Sequence, residues 1–171
     1  MSTDRQNSFY EAEIPQASRE LKEFRTSSAY EAPFEVVRRR IIDDFYEGKL
    51  TVDATIVIRI GECEETEAAR GVGVVNALDT ALRKALLKYF PSVSLIRVTE
   101  TYTHGSGEST EAEVVSVKKF SDGVQSWTTM AKSSDAVEAS WKSLVDGYEW
   151  RIYTEARKAR RAAEHARPAG R

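Results

Sequence analysis

The segment Gly71-Val72-Gly73 is the part of the sequence whose residue types and position suggest chemistry. It follows a predicted strand and precedes a predicted helix, so its backbone N–H groups would be free to bind an anion such as an amino-acid carboxylate. The glycines also leave room for a small ligand. A tight turn before a helix would have the same composition. The residues therefore indicate a small-acid site and leave the plain turn open.

Apolar walls for such a ligand could come from two parts of the chain. Ala77 and Leu78 lie at the start of the predicted helix, and Val115 and Val117 lie on a later predicted strand. These positions would also serve packing, because periodicity does not separate a pocket from a core. A second loop, residues 104–109, could cover the ligand or simply connect two strands.

Groups suited to acid–base or metal chemistry are few. Cys63 is the single cysteine, so neither an internal disulfide nor a cysteine metal site can form. The two histidines, His104 and His165, are isolated in the sequence. An enzyme would have to work with His104 or Glu108, which disfavours catalysis. We predict no catalytic residue, no metal site and no cofactor.

Two units of three strands and a helix are predicted around the loop, in an α+β fold with helices packed on antiparallel sheets. The predicted strands are 34–46, 50–60 and 65–70 in unit one (about 34–90), and 92–102, 111–120 and 124–132 in unit two (about 91–150). The predicted helices are 76–89 and 135–148, and the second could continue to 166. An ungapped alignment of the units at an offset of 59 residues pairs Asn76 with Asp135. It predicts an N-cap at each, with an acid three residues later.

The two ends differ in composition from the central domain, residues 33–153. Residues 1–32 are polar and are predicted to be a flexible or partly helical arm outside the core. Residues 154–171 hold six Arg or Lys against two Glu and are predicted to be a basic helical tail. A solvated helical extension and a contact with RNA or an acidic partner both fit this tail.

The whole chain reads as one globular domain. Of its 171 residues, 41% are hydrophobic, and its net charge is -2. A protein with this charge has no overall positive potential to attract nucleic acid, so we do not expect a nucleic-acid partner. The apolar runs are too short for a membrane span, and we predict a cytoplasmic location with no membrane partner. Trp127, Trp141 and Trp150 are interpreted as core or dimer-interface aromatics. A homodimer is predicted, because each unit would expose an apolar face.

One segment resembles part of the C-terminal regulatory domain of isopropylmalate synthases and citramalate synthases. It is residues 71–86, Gly-Val-Gly-Val-Val-Asn-Ala-Leu-Asp-Thr-Ala-Leu-Arg-Lys-Ala-Leu. That family segment reads Gly-x-Gly-Pro-Val-Asn/Asp-Ala-Leu-Asp-x-Ala-Leu-Arg-Lys-Ala-Leu. Residues 137–146 resemble the last helix of the same domain, and the resemblance covers about residues 30–152. Val74 stands where the family has proline.

The resemblance implies a dimeric domain that binds leucine or isoleucine as a feedback inhibitor. It favours ligand binding over a plain turn at the glycine loop. With the apolar walls considered above, we predict an effector site at Gly71, Gly73, Val74, Asn76, Ala77, Leu78, Val115 and Val117. The family's acyl transfer from acetyl-CoA to a 2-oxo acid belongs to a metal-binding TIM barrel of about 250 residues, and 171 residues cannot house one. We therefore expect a regulatory module in branched-chain amino acid biosynthesis, either a homodimer or a partner of a separately encoded synthase barrel. The alternative is an enzyme of a specialised biosynthetic pathway that reuses the cavity of this fold.

Overall fold

Two three-stranded antiparallel sheets, each followed by a helix, make up the structure. The computed structural model describes residues 14–106 and 113–166. The sheets have the strand orders β1-β2-β3 and β4-β5-β6. The elements are α1 (Gln16–Thr26), β1 (Glu35–Tyr46), β2 (Lys49–Ile60), β3 (Cys63–Gly71), α2 (Val74–Leu87), a 3-10 helix (Pro91–Leu95), β4 (Arg97–Ser106), β5 (Glu113–Ser121), β6 (Ser126–Ser133) and α3 (Ala136–His165). The predicted α+β fold of two strand-strand-strand-helix units is confirmed.

One face of each sheet packs under a helix. In β2, Val52, Ala54, Ile56 and Ile58 are fully buried, while the residues between them stay partly exposed. This is the alternation expected of a strand with one buried face. Helix α2 lies on β2 and β3, helix α3 lies on β5 and β6, and the two helices contact each other. The units therefore share one apolar core, to which the tryptophans of unit two also belong.

The two units correspond at a separation of 62 residues, so the predicted offset of 59 is wrong. The helices begin at Val74 and Ala136, and the first strand of each unit has a bulge, after Val36 in one and after Val98 in the other. A three-residue error is nearly one helical turn, so it leaves the apolar face of a helix almost unchanged. Along a strand, the same odd shift moves every side chain to the other face of the sheet.

Unit two begins differently from the prediction. Residues Pro91–Leu95 form a 3-10 helix, and β4 starts only at Arg97. Pro91 occupies the start of the 3-10 helix, where the N–H that proline lacks is not needed. Residues 104–106, predicted as loop, belong to β4, and the rest of that predicted loop lies outside the described residues.

Helix α1 is packed on unit two, although the sequence placed residues 1–32 outside the core. Ala17 and Leu21 are buried, and the Ser18 hydroxyl accepts a hydrogen bond of 2.9 Å from the backbone N–H of Met130 on β6. The Arg25 guanidinium donates two hydrogen bonds, of 2.9 and 2.6 Å, to the Glu149 carboxylate on α3. This helix therefore covers the free edge of β6, a common protection for an edge strand.

Helix α3 continues well past the core. It has 30 residues and ends at His165, so the predicted continuation toward residue 166 is confirmed. After Tyr153, nearly all of its residues are exposed. None of the described helices is long and apolar enough to cross a membrane.

Candidate functional site at the start of helix α2

The Gly71-Val72-Gly73 loop joins the end of β3 to an uncapped helix. Gly73 is the N-cap of α2 in extended backbone conformation, with φ −171° and ψ 167°. No side chain caps this terminus, and the first turn contains no acidic residue. The first helical hydrogen bond runs from the Ala77 N–H to the Gly73 carbonyl at 3.0 Å. The N–H groups of the preceding helical residues therefore have no acceptor within the helix.

Gly71 and Gly73 have different surroundings. A Cβ atom at Gly71 would lie 2.5 Å from the Ala77 nitrogen and 2.6 Å from the Asn76 side-chain oxygen. A Cβ atom at Gly73 would meet nothing within 4 Å. Gly71 is thus required for close packing of strand and helix, while Gly73 faces open space.

Asn76 is not the N-cap that the sequence predicted. It is the third residue of α2, and its side-chain oxygen accepts a long hydrogen bond of 3.4 Å from the Val72 N–H. The absence of a side chain at Gly71 lets the first turn of α2 lie against the end of β3, so the helix can begin before Asn76. Asn76 therefore fastens the loop to the helix.

Asp135 is the N-cap of α3, as predicted. Its carboxylate accepts a hydrogen bond of 2.7 Å from the Glu138 N–H. The Glu138 side chain does not complete the reciprocal cap, because its carboxylate is paired with Arg39 at 2.8 Å and with Lys142 at 3.5 Å. The capping box is thus one-sided.

The correspondence of the units places Gly73 where unit two has Asp135. In unit two, a carboxylate of the chain itself occupies the helix N-terminus. In unit one, the equivalent place is left open by a glycine. Since free N–H groups and the helix dipole favour an anion there, the start of α2 can accept a carboxylate from a ligand.

The remaining predicted site residues fall into two groups. Val74 begins α2, and Ala77 and Leu78 are buried on its inner side against the sheet. Val115 and Val117 are on β5 in unit two. They face away from α3, because the alternate residues Ser116 and Lys118 make the hydrogen bonds to that helix. The main sheet neighbours of α2 are β2 and β3. The structure does not bring these two valines to the loop within one chain, and their role in binding stays a prediction.

Sequence reasoning missed a buried polar cluster between the units. Lys118 on β5 is fully buried and donates a hydrogen bond of 2.8 Å to the Ser140 hydroxyl on α3. Burial lowers the pKa of Lys118 to about 8, and the nearby Asp79 carboxylate opposes this shift. Asp79 on α2 in turn accepts a hydrogen bond of 2.6 Å from the buried Tyr148 hydroxyl.

A signal for Lys118 was present in the sequence. Phe120 shares its face of β5, and a strand that buries this aromatic also buries the lysine two residues earlier. The incorrect offset placed Val115 and Val117 on that face instead.

Among residues 14–106 and 113–166, no group of three or more His, Cys, Asp or Glu side chains could hold a metal ion.

Relatives of the chain are enzymes much longer than it is. It is 32% identical over 152 residues to an (R)-citramalate synthase of Geobacter sulfurreducens, covering 86% of this chain and 29% of that protein. It is 38% identical over 93 residues to an (R)-citramalate synthase of Sulfolobus acidocaldarius, covering 53% of this chain and 18% of that protein. An (R)-citramalate synthase of Synechocystis is 33% identical over 99 residues, covering 57% and 18%. The chain thus spans less than a third of the length of these relatives.

The architecture defines a duplicated strand-strand-strand-helix domain in which the helix of unit two has a side-chain cap and the helix of unit one has none. Residues 17–151 match the family described as the LeuA allosteric (dimerisation) domain, and the chain belongs to this family. The matched region begins inside α1, which agrees with the packing of that helix on unit two.

Proposed function

We propose that this domain binds a branched-chain amino acid or a similar small acid at the start of α2 and thereby modulates a catalytic barrel of the citramalate synthase type. The family assignment and the citramalate synthase relatives support the regulatory part of this proposal. The observation that carries the binding site is the contrast between Gly73 and Asp135. One helix supplies its own carboxylate, and its counterpart leaves that position open.

The chemistry of the open terminus suits the carboxylate end of such a ligand. The free N–H groups of the first turn of α2 donate hydrogen bonds to the carboxylate oxygens, and the helix dipole adds a favourable charge interaction. Val72, which is 86% exposed, offers apolar surface beside these donors for a branched side chain. A binding event here would act on α2, which contacts α3 across the shared core.

Calorimetric titration with isoleucine, leucine, valine and 2-oxo acids tests binding directly. Gly73→Asp should retain the fold, because Asp135 occupies the corresponding place in unit two. It should weaken binding by at least about tenfold, because the new carboxylate competes for the same N–H groups and repels the ligand. Gly73→Ala is the matched control and should bind like the parent, since its methyl group meets open space. Equal affinity of Gly73→Asp and the parent would place the site elsewhere.

Modulation is tested with a citramalate synthase barrel present. Thiol release from acetyl-CoA with pyruvate is followed with and without the ligand that calorimetry identifies. We expect the ligand to change the rate with the parent domain and not with Gly73→Asp. A rate that does not change with the ligand for either the parent domain or Gly73→Asp would contradict the regulatory role.

A further inference from the structure

A cavity of about 570 Å³ lies beside α3, where the two units and α1 meet. Its walls come from the last turn of α1, the start of β1, the second half of β6 and the first half of α3. This volume is within the range of small-molecule sites, roughly 300–1,000 Å³. None of residues 71–78 lines the cavity, so it is separate from the start of α2.

The surface of the cavity is mainly apolar. Trp141 and Val145 contribute from successive turns of α3, since residues four apart share a face of a helix. Phe34 and Val36 line the side of β1, and Met130 lines the side of β6. A ligand in the cavity would therefore bury an apolar body against both aromatic and aliphatic side chains.

One acid in the cavity has an unused acceptor atom. The Asp146 carboxylate accepts a hydrogen bond of 2.7 Å at Oδ1 from the Arg25 guanidinium. Its Oδ2 has no hydrogen-bond donor among the residues that the structure describes. Arg25 also pairs with the Glu149 carboxylate at 2.6 Å, so one cation serves two acids. These three side chains together carry one negative charge in excess.

This excess charge is costly because Asp146 is largely buried, with its side chain 18% exposed. Burial raises the pKa of the Asp146 carboxyl, and the cations of Arg25 and Lys142 oppose this shift only in part. Lys142 is paired with Glu138 at 3.5 Å. A further cation beside Asp146 Oδ2 would stabilise the carboxylate. An ammonium group suits this place, because it has three donors and needs no acceptor.

We propose that this cavity binds an apolar amine, whose ammonium group donates to Asp146 Oδ2 and whose hydrocarbon body lies on Trp141 and Val145. The hydrogen bond between ammonium and carboxylate is of the charge-assisted kind, which is stronger than a neutral one. A small acid without an amine would be repelled by Asp146 and Glu149. The ligand class thus differs from the acids expected at the start of α2. A bound amine would contact α1 and both units.

Calorimetric titration with three probes of similar shape tests the ligand class. The cation is 2-phenylethylamine, its neutral isostere is 2-phenylethanol, and the anion is 3-phenylpropanoate. We expect the amine to bind the parent at least about tenfold more tightly than either of the other two. Equal affinity for the amine and the alcohol overturns the proposal, as does the absence of amine binding at about 10 mM.

A charge-removing variant tests the position of the ammonium group. Asp146→Asn keeps the shape of the side chain and should weaken amine binding at least about tenfold. Asp43→Asn is the matched control, because Asp43 is exposed on β1 and does not line the cavity. It makes the same change in net charge and should bind the amine like the parent. Unchanged affinity in a folded Asp146→Asn variant overturns the proposal.

A second variant decides the matter if loss of the Arg25 contact prevents Asp146→Asn from folding. Ala32 is exposed and lines the cavity, so Ala32→Phe should retain the fold and fill part of the space. It should weaken amine binding at least about fivefold, and unchanged affinity overturns the proposal. Gly73→Asp should bind the amine like the parent, while its titration with amino acids decides separately on the proposed function.

Discussion

Two glycines separated by one residue have different roles at the start of α2. Gly71 is enclosed by the backbone of the first helical turn, and Gly73 is open to solvent. The sequence showed both as parts of one loop and could not separate them, because the difference depends on where the helix begins. Of these two glycines, only Gly73 has the free space that a ligand needs.

Substitution by alanine should separate the two glycines. Gly71→Ala should lower the free energy of unfolding by about 1–3 kcal/mol, because its methyl group would overlap backbone atoms that cannot move independently. Gly73→Ala is the control and should stay within about 0.5 kcal/mol of the parent. Urea unfolding followed by circular dichroism measures both. Equal losses would mean that Gly71 is not packed as described.

Lys118 has an environment that is unusual for its residue type. It is fully buried at the place where unit one has Ile56, and its ammonium group has a hydrogen bond to Ser140 but no ion pair within 4 Å among the residues that the structure describes. Burial disfavours the charged form, which is why its pKa falls to about 8. The unfolded chain holds that proton up to a pKa of about 10.4.

Lys118→Met should therefore stabilise the fold at neutral pH by about 1–3 kcal/mol. Between about pH 8 and pH 10 the unfolded parent binds more protons than the folded parent, so its stability should rise with pH through this window. The variant should lack this rise. Unfolding free energies of both proteins at pH 7, 8, 9 and 10 measure the difference, and the same pH dependence in both would contradict the assignment.

At the scale of the elements, the helices and strands of unit one followed closely from the sequence. The alternation in β2 and the apolar repeat in α2 predicted both elements with small errors at their ends. The alignment between units failed because helical residues three apart share a face, so the helix segments matched well at the wrong offset. The position of Lys118 and the faces of Val115 and Val117 depended on the strands, where that error matters.

Helix α1 was recognised as a helical stretch, but its packing was not. Short polar helices near a terminus usually lie outside the core, and only Ala17 and Leu21 are buried here. Its attachment depends on partners more than a hundred residues away, such as Glu149 and Met130. No local pattern contains such distant contacts.

Leu21→Ala tests whether α1 stabilises the whole domain. Leu21 is 1% exposed, and its truncation should cost about 2–4 kcal/mol through lost burial and a cavity. Lys22→Ala, one residue along on the exposed side, should change the stability by less than about 0.5 kcal/mol. Chemical unfolding measures both variants. An unchanged midpoint for Leu21→Ala would show α1 to be a dispensable arm.

At the scale of the whole molecule, the two units are one cooperative structure with divided roles. Their buried apolar residues form a single cluster. Unit one leaves the N-terminus of α2 without a side-chain cap, whereas in unit two Asp135 caps α3 and α1 packs on the edge of β6. The two units thus share a fold and a core but differ at the N-terminus of the helix.

Unfolding should therefore occur in one step. Tryptophan fluorescence reports on unit two, since all three tryptophans lie there, and circular dichroism reports on helices of both units. Because the core is shared, the two probes should give the same thermal midpoint. Separate midpoints would show that the units unfold independently.

The position of Trp141 gives the molecule an optical reporter of its own edge strand. The Arg39 guanidinium of β1 lies 5.5 Å from the centre of the Trp141 ring, and indole emission is sensitive to a nearby charge. Displacement of Arg39 would therefore change the colour or intensity of the light that Trp141 emits. A dilution series measured by fluorescence can then follow displacement of Arg39 on β1 without an attached dye.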